Sequence, residues 1–236
     1  MHNIFQFLLP TYCTLCGSVS ETNICNACHT HFLVNQTPRC TKCALPLFTQ
    51  QTQLCGACLS TPPLFDITLA CTDYQAPIDS IVLALKFGGH LFQAETIAQL
   101  LGKTICQHRD RGANMPALLC PVPLSRQRLI SRGFNQAMEI ARPISRLLAI
   151  PLYSDLLWRL KDTLPQSQLH PDQRHRNVQS AFSIHPDFVH LIDGQNVGII
   201  DDVMTTGTTL NEIAKLLKRY GAARVSNFVF ARTVRQ

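Results

Sequence analysis

The 236-residue chain has no apolar run that approaches the roughly 20 residues needed to cross a bilayer, so no membrane-spanning segment is expected. The opening Ile4-Phe5-Gln6-Phe7-Leu8-Leu9 is too short for the core of a signal peptide and has neither a basic start nor a cleavage site. A cytoplasmic location is the expectation. Aromatic residues make up only 7% of the chain, which argues against a surface that works mainly by stacking bases. Acidic residues are outnumbered, 15 against 21 lysines and arginines. Charge is nearly missing from residues 1–62, where Glu21, Arg39 and Lys42 are the only ionised side chains with histidine neutral. The low charge overall, 15%, against 46% apolar residues excludes a disordered chain.

What the charge-poor segment has instead is cysteine. Eight of the chain's 11 cysteines form four CxxC pairs, Cys13/Cys16, Cys25/Cys28, Cys40/Cys43 and Cys55/Cys58. Two-residue spacing turns both thiolates of a pair toward one tetrahedral ion, so the four pairs supply two Cys₄ zinc sites. The simplest pairing is sequential, with Cys13, Cys16, Cys25 and Cys28 on one ion and Cys40, Cys43, Cys55 and Cys58 on the other, though spacing also permits a cross-braced one. Closed Cys₄ sites have no open position and are read as structural. Gly17 and Gly56 stand where a knuckle turn wants a residue without a Cβ. So short a segment would draw its folding free energy from the metal, and chelation is expected to unfold residues 1–60 selectively. Cys71, Cys106 and Cys120 read as buried packing residues. Thr61-Pro62-Pro63 marks a stiff boundary, which gives a zinc module over 1–62 and an α/β domain over 63–236.

In the second part strands are expected over 67–74, 117–122, 153–159 and 225–231. Helices are expected over 76–87, 91–106, 135–148 (disturbed by Pro143) and 208–220. That alternation implies a mostly parallel sheet, Rossmann-like, with ligands beyond the carboxyl ends of its strands. The most telling stretch is the apolar strand Val197-Gly198-Ile199-Ile200. It runs into Asp201 and Asp202, then into Val203-Met204-Thr205-Thr206-Gly207-Thr208-Thr209 and a helix. The amides of such a turn and the helix N-terminus face a phosphate, with the threonine hydroxyls as further donors. Asp201 and Asp202 can accept hydrogen bonds from two ribose hydroxyls. The order resembles the fingerprint of type I phosphoribosyltransferases, which bind phosphoribosyl pyrophosphate (PRPP). The resemblance implies Asp201–Thr209 as the PRPP run, the two aspartates as catalytic candidates, and Mg²⁺ accompanying PRPP.

Positive charge gathers in the middle of the chain. Arg126, Arg128 and Arg132 leave the end of the 117–122 strand and are candidates for the pyrophosphate, with Lys86 as a further one. The polar segment 164–178, carrying Arg174 and Arg176, reads as a lid. Leu85-Lys86-Phe87-Gly88-Gly89, Val122-Pro123-Leu124, Arg132-Gly133-Phe134-Asn135-Gln136-Ala137 and Pro165 to Leu169 complete a pattern, with Arg174, Asn177 and Ala181-Phe182. On these motifs the whole chain resembles the ComF/GntX family, competence-associated proteins that join a double zinc ribbon to a phosphoribosyltransferase-like domain. His90 departs from the aspartate often found there.

The resemblance implies a part in natural transformation, in which imported single-stranded DNA is handled in the cytoplasm. The zinc ribbon would contact other DNA-uptake or recombination proteins. Two functions compete on this reading. One is a PRPP-binding protein that acts on single-stranded DNA, its arginines on phosphates. The other is an active phosphoribosyltransferase with an unidentified acceptor and no direct DNA role.

Overall fold

A computed structural model describes residues 11–34, 37–49, 51–160 and 181–234. The expected lid with Arg174 and Arg176 lies outside these residues. Four strands, β1 (Ile67–Asp73), β2 (Leu118–Pro121), β5 (Asn196–Met204) and β6 (Arg224–Arg232), form a sheet in the order β1-β6-β5-β2, every pair parallel. A two-stranded antiparallel ribbon, β3 (Leu157–Arg159) with β4 (Phe182–Ile184), stands beside it. The expected strand over 153–159 is therefore shortened to its last three residues.

Between the strands run α3 (Asp79–Gly88), α4 (Phe92–Asp110), α5 (Arg126–Arg132), α6 (Gln136–Leu148) and α7 (Thr208–Arg219); two short turns, α1 (Asn26–Cys28) and α2 (Gly56–Ser60), belong to the cysteine segment. The helix α5 was not expected. Ser125 caps its start by accepting from the Arg128 amide at 3.5 Å, and left-handed Gly133 ends it. Pro143 does not break α6. Its missing amide removes one helical bond, but the buried stripe Ala137, Ile140, Ala141, Ile144 and Leu148 holds the helix to the sheet.

Alternation along the strands sorts the core into two layers. Leu119, Ile200, Phe228 and Phe230 pack with α3, α4 and α6, whereas Leu118, Cys120, Val197, Ile199, Val225 and Val229 pack with α7 and the β3–β4 ribbon. The two halves of the cysteine segment divide between these layers. Cys13, Ile24 and Cys28 join the first; Cys40, Cys43, Ala44, Leu47, Cys55 and Cys58 join the second. The segment thus clasps the edge strand β1. Phe32 O accepts from Thr72 Oγ1 at 3.1 Å on one side, and Thr41 O accepts from the Thr68 amide at 3.1 Å on the other. Cysteine segment and sheet therefore share their cores. Of the three remaining cysteines, Cys71 and Cys120 are buried as expected, but Cys106 is only half-buried.

Candidate functional site

The parallel sheet brings the carboxyl ends of its strands, Asp73, Pro121, Met204 and Arg232, to one edge. At that edge β5 carries the two aspartates. They lie inside the strand, because its pairing with β6 continues to Met204 opposite Arg232. Expectation had placed the strand end at Ile200, before the carboxylates. Asp202 is buried, and its Oδ1 accepts from the Val203 amide at 2.8 Å. Asp201 Oδ1 accepts in turn from the Asp202 amide at 2.9 Å. Burial pushes the Asp201 carboxyl up to about 8, the charge of Asp202 adds to the rise, and Lys86 opposes it.

Lys86 reaches this pair from the last turn of α3, where helix carbonyls favour a cation. Its Nζ lies 2.5 Å from Asp202 Oδ2, an oxygen with no other partner among the described residues. Arg132 is half-buried at the end of α5. It donates to Gln136 Oε1 at 2.5 Å, covers the Phe87 ring at 5.5 Å from its centroid, and feels the Asp202 charge. Arg126 and Arg128 share α5 with it, Arg126 exposed and Arg128 half-buried. Gln136, buried at the start of α6, entered the sequence reading only as part of the Arg132–Ala137 motif, with no role of its own.

Past Met204 the chain turns through Thr205, Thr206 and Gly207 into α7. Gly207 is left-handed (φ 83°) and is the N-cap of α7, so the cap brings no side chain to the helix's first amides. The backbone conformation calls for glycine, and a Cβ here would also come 2.5 Å from Met204 Cε, so that the methionine side chain would have to shift. Thr206 Oγ1 lies 2.8 Å from Thr208 Oγ1 and accepts from the Thr208 amide at 3.4 Å. A cavity of ≈ 30 Å³ is lined by Asp201, Val203, Met204, Thr205, Gly207, Thr209 and Leu210. A larger one, ≈ 650 Å³, lies between residues that join the two cysteine sets (His29, Leu33, Val34, Arg39) and β1 and α4, and touches none of the residues around the smaller one.

The cysteines gather sequentially, Cys13, Cys16, Cys25 and Cys28 in one set and Cys40, Cys43, Cys55 and Cys58 in the other, with all Sγ atoms of a set within 4.8 Å of one another. Cys16 and Cys25 Sγ are 3.8 Å apart, Cys43 and Cys55 Sγ 3.6 Å. Four sulfurs at about 2.3 Å from a tetrahedral zinc would be about 3.8 Å apart, so both donor sets fit the ion. Backbone amides already support the sulfurs, Cys25 donating to Cys13 Sγ at 3.3 Å and Cys28 to Cys25 Sγ at 3.4 Å. Gly17 follows Cys16 in the left-handed region (φ 72°), and its equivalent in the second set is Ala44 (φ 58°). Gly56 instead opens α2 and has no such role.

A double zinc ribbon domain matches residues 4–59 and a phosphoribosyl transferase domain matches residues 135–234. The DNA utilization protein YhgH of Escherichia coli (strain K12) is 33% identical over 230 residues, 96% of this chain and 99% of its own. The chain belongs to the ComF/GntX family. Competence protein F of Haemophilus influenzae is another relative in that family, 30% identical over 98% of this chain and all of its own length. Competence protein ComFC of Bacillus subtilis is 34% identical over 49% of this chain and 45% of its own. Among solved structures, a purine phosphoribosyltransferase from Pyrococcus horikoshii aligns over 60% of this chain and 73% of its own, at 21% identity and a TM-score of 0.33. In this ComF/GntX chain the second set of ribbon cysteines shares the second layer of the core with Met204 of the aspartate-threonine run. No described helix is long and apolar enough to cross a membrane.

Proposed function

We propose that this chain binds PRPP together with Mg²⁺ at the Asp201–Thr209 run and serves the handling of imported single-stranded DNA. The observation that carries the reading is the pair Asp201 and Asp202 beside a glycine-capped helix start, with a small hollow between them lined by Thr205, Gly207 and Thr209. The 5′-phosphate would lie on the amides and hydroxyls of Thr205–Thr209. The ribose hydroxyls would donate to the two carboxylates. Arg126, Arg128 and Arg132 would face the pyrophosphate from α5. Mg²⁺, when bound, supplies neutralisation of the pyrophosphate charge. The DNA role is supported by the names of the relatives, a DNA utilization protein and competence proteins, and by the basic excess of the chain. Backbone phosphates are bound by such arginines without sequence preference and with steep salt dependence.

Catalysis is the second reading, favoured by Asp202. It is a buried carboxylate whose lysine partner holds it beside the ribose position, where positive charge would develop on loss of pyrophosphate. Calorimetric titration of zinc-loaded protein with Mg²⁺ and PRPP tests the binding. Saturation is expected, and Asp201→Asn with Asp202→Asn is expected to weaken it about 100-fold or more, since two charge-assisted hydrogen bonds are lost. Unchanged affinity in the double variant overturns the site. Pyrophosphate release with candidate bases then separates an enzyme from a binding protein.

A further inference from the structure

Arg232 ends β6 at 7% exposure, yet no ion pair to it occurs among the described residues. A guanidinium taken out of water needs its donors filled. Here carbonyls from three segments accept from its Nε and Nη1. Nε donates to Cys43 O at 2.8 Å, and Nη1 donates to Met204 O at 3.1 Å, to Thr205 O and to Thr233 O at 2.7 Å. Cys43 belongs to the second cysteine set, and Met204 and Thr205 open the loop before α7. One side chain thus holds the zinc-ligand backbone and the loop backbone together.

The consequence for the loop follows from peptide planarity. In a trans peptide the C=O and the next N–H point in opposite directions. Carbonyls of Met204 and Thr205 pinned on Arg232 therefore turn the amides of Thr205 and Thr206 away from it, to the opposite side of the loop.

Other contacts join the same two regions. Phe65, fully buried, packs in one cluster with Met204 and the four second-set cysteines, and its ring is 3.8 Å from the Cβ that Gly207 lacks. Lys42, between Cys40 and Cys43, donates to Phe65 O at 2.9 Å, and the Leu64 amide donates to Asn211 Oδ1 at 2.7 Å in the first turn of α7. The first set lies on the other layer. Its polar links run from Asn23 Nδ2 to Thr96 Oγ1 at 2.8 Å, and from Thr72 to Phe32 O.

We propose that the two zinc sites are unequal, and that the second, Cys40/Cys43/Cys55/Cys58, supports the phosphate loop through Arg232 as a positioning residue. Metal at this site fixes the Cys43 carbonyl. The fixed carbonyl holds Arg232, and Arg232 orients the loop peptides before a ligand arrives. Among the described residues the Asn23–Thr96 and Thr72–Phe32 links of the first set lead to α4 and β1, not to Arg232. The proposal rests on the reading of the loop as a phosphate site for its ligand, but the ordering of the loop is measurable without one.

The test uses full-length, zinc-loaded protein and the variants Arg232→Lys, Cys58→Ser and Cys16→Ser. Three readouts are taken: amide hydrogen exchange over residues 204–209, PRPP affinity with Mg²⁺ by calorimetry, and zinc affinity by chelator competition. Arg232→Lys keeps the charge but not the fork that spans Cys43 and the loop. It is expected to speed exchange in the loop and weaken PRPP at least tenfold, with the exchange of β5 interior amides unchanged. Cys58→Ser is expected to do the same, and Cys16→Ser to leave both readouts within twofold of wild type. By reciprocity, saturating PRPP tightens zinc at the second site by the factor with which that zinc tightens PRPP. Loop exchange that is unmoved by Arg232→Lys and by an empty second site overturns the proposal, as does an equal effect from Cys16→Ser. If wild type binds no PRPP, the ligand reading fails while the exchange comparison still decides the coupling.

Discussion

Asp201 carries a conflict between holding a proton and accepting a hydrogen bond. Burial and the neighbouring Asp202 raise its carboxyl from 3.8 to about 8 in the folded chain. A raised folded pKa means that the native state holds the proton more tightly than the unfolded chain. Its contribution to stability is therefore complete below the unfolded value and is lost as pH rises through about 8. A ribose hydroxyl that donates to Asp201 needs the carboxylate, so binding must expel that proton. PRPP affinity is expected to rise between pH 6 and 8 by up to about tenfold per unit, with nearly one proton released near pH 6.5. Calorimetry in two buffers of different ionisation enthalpy measures the release directly. Asp202→Asn removes one cause of the rise and should reduce the proton count. If wild type releases no proton, Asp201 is not the group that the ligand meets.

At the scale of elements, the turn from β5 into α7 depends on Gly207. Alanine there adopts a left-handed backbone at about 1–2 kcal/mol and must also displace the Met204 side chain, because a Cβ falls 2.5 Å from its Cε. Gly207→Ala is expected to weaken PRPP at least tenfold and to lower the melting temperature, both measurable on one preparation. Affinity equal to wild type would show that the loop is not preorganised by this packing. Ala44 shows that the left-handed strain alone is tolerable, since it holds φ 58° after Cys43 in the turn that Gly17 makes after Cys16. This contrast marks what could be read from sequence. The strand, aspartates, threonine-glycine turn and helix were legible because local chemistry fixes each of them: apolar run, turn residue, cap. The zinc ligands were legible from spacing, and sequential pairing was the simplest reading, but spacing alone does not say which pairs meet in space. The helix α5 was hidden in a run of arginines, although Ser125 and Gly133 are ordinary start and stop residues. Arg232 was not legible at all. Its role depends on a carbonyl 189 residues away, and the only local hint was an arginine that closes an apolar strand.

Over the whole molecule, the cysteine segment is part of both cores. Cys13, Ile24 and Cys28 complete the layer under α3, α4 and α6, and the second set completes the layer under α7 and the β3–β4 ribbon. Structural zinc contributes about 10–16 kcal/mol of apparent free energy in isolated fingers, whereas a whole domain retains about 5–15 kcal/mol of net stability. Stripping metal from a ribbon that shares its core with the sheet therefore removes a quantity comparable with the entire margin. The chain offers its own reporter, because its single tryptophan, Trp158, lies in β3, far in sequence from the cysteines, with its ring 4.3 Å from that of His185. Its strand neighbour Leu157 belongs to the same apolar cluster as Cys40, Cys43, Cys55 and Cys58. In a urea titration followed by Trp158 fluorescence, a strong chelator is expected to move the transition to markedly lower urea, in step with the loss of ribbon structure. A Trp158 transition that stays in place while the cysteine segment unfolds would mean that the ribbons fold as an independent unit. The shared layers would then contribute little to holding ribbon and sheet together.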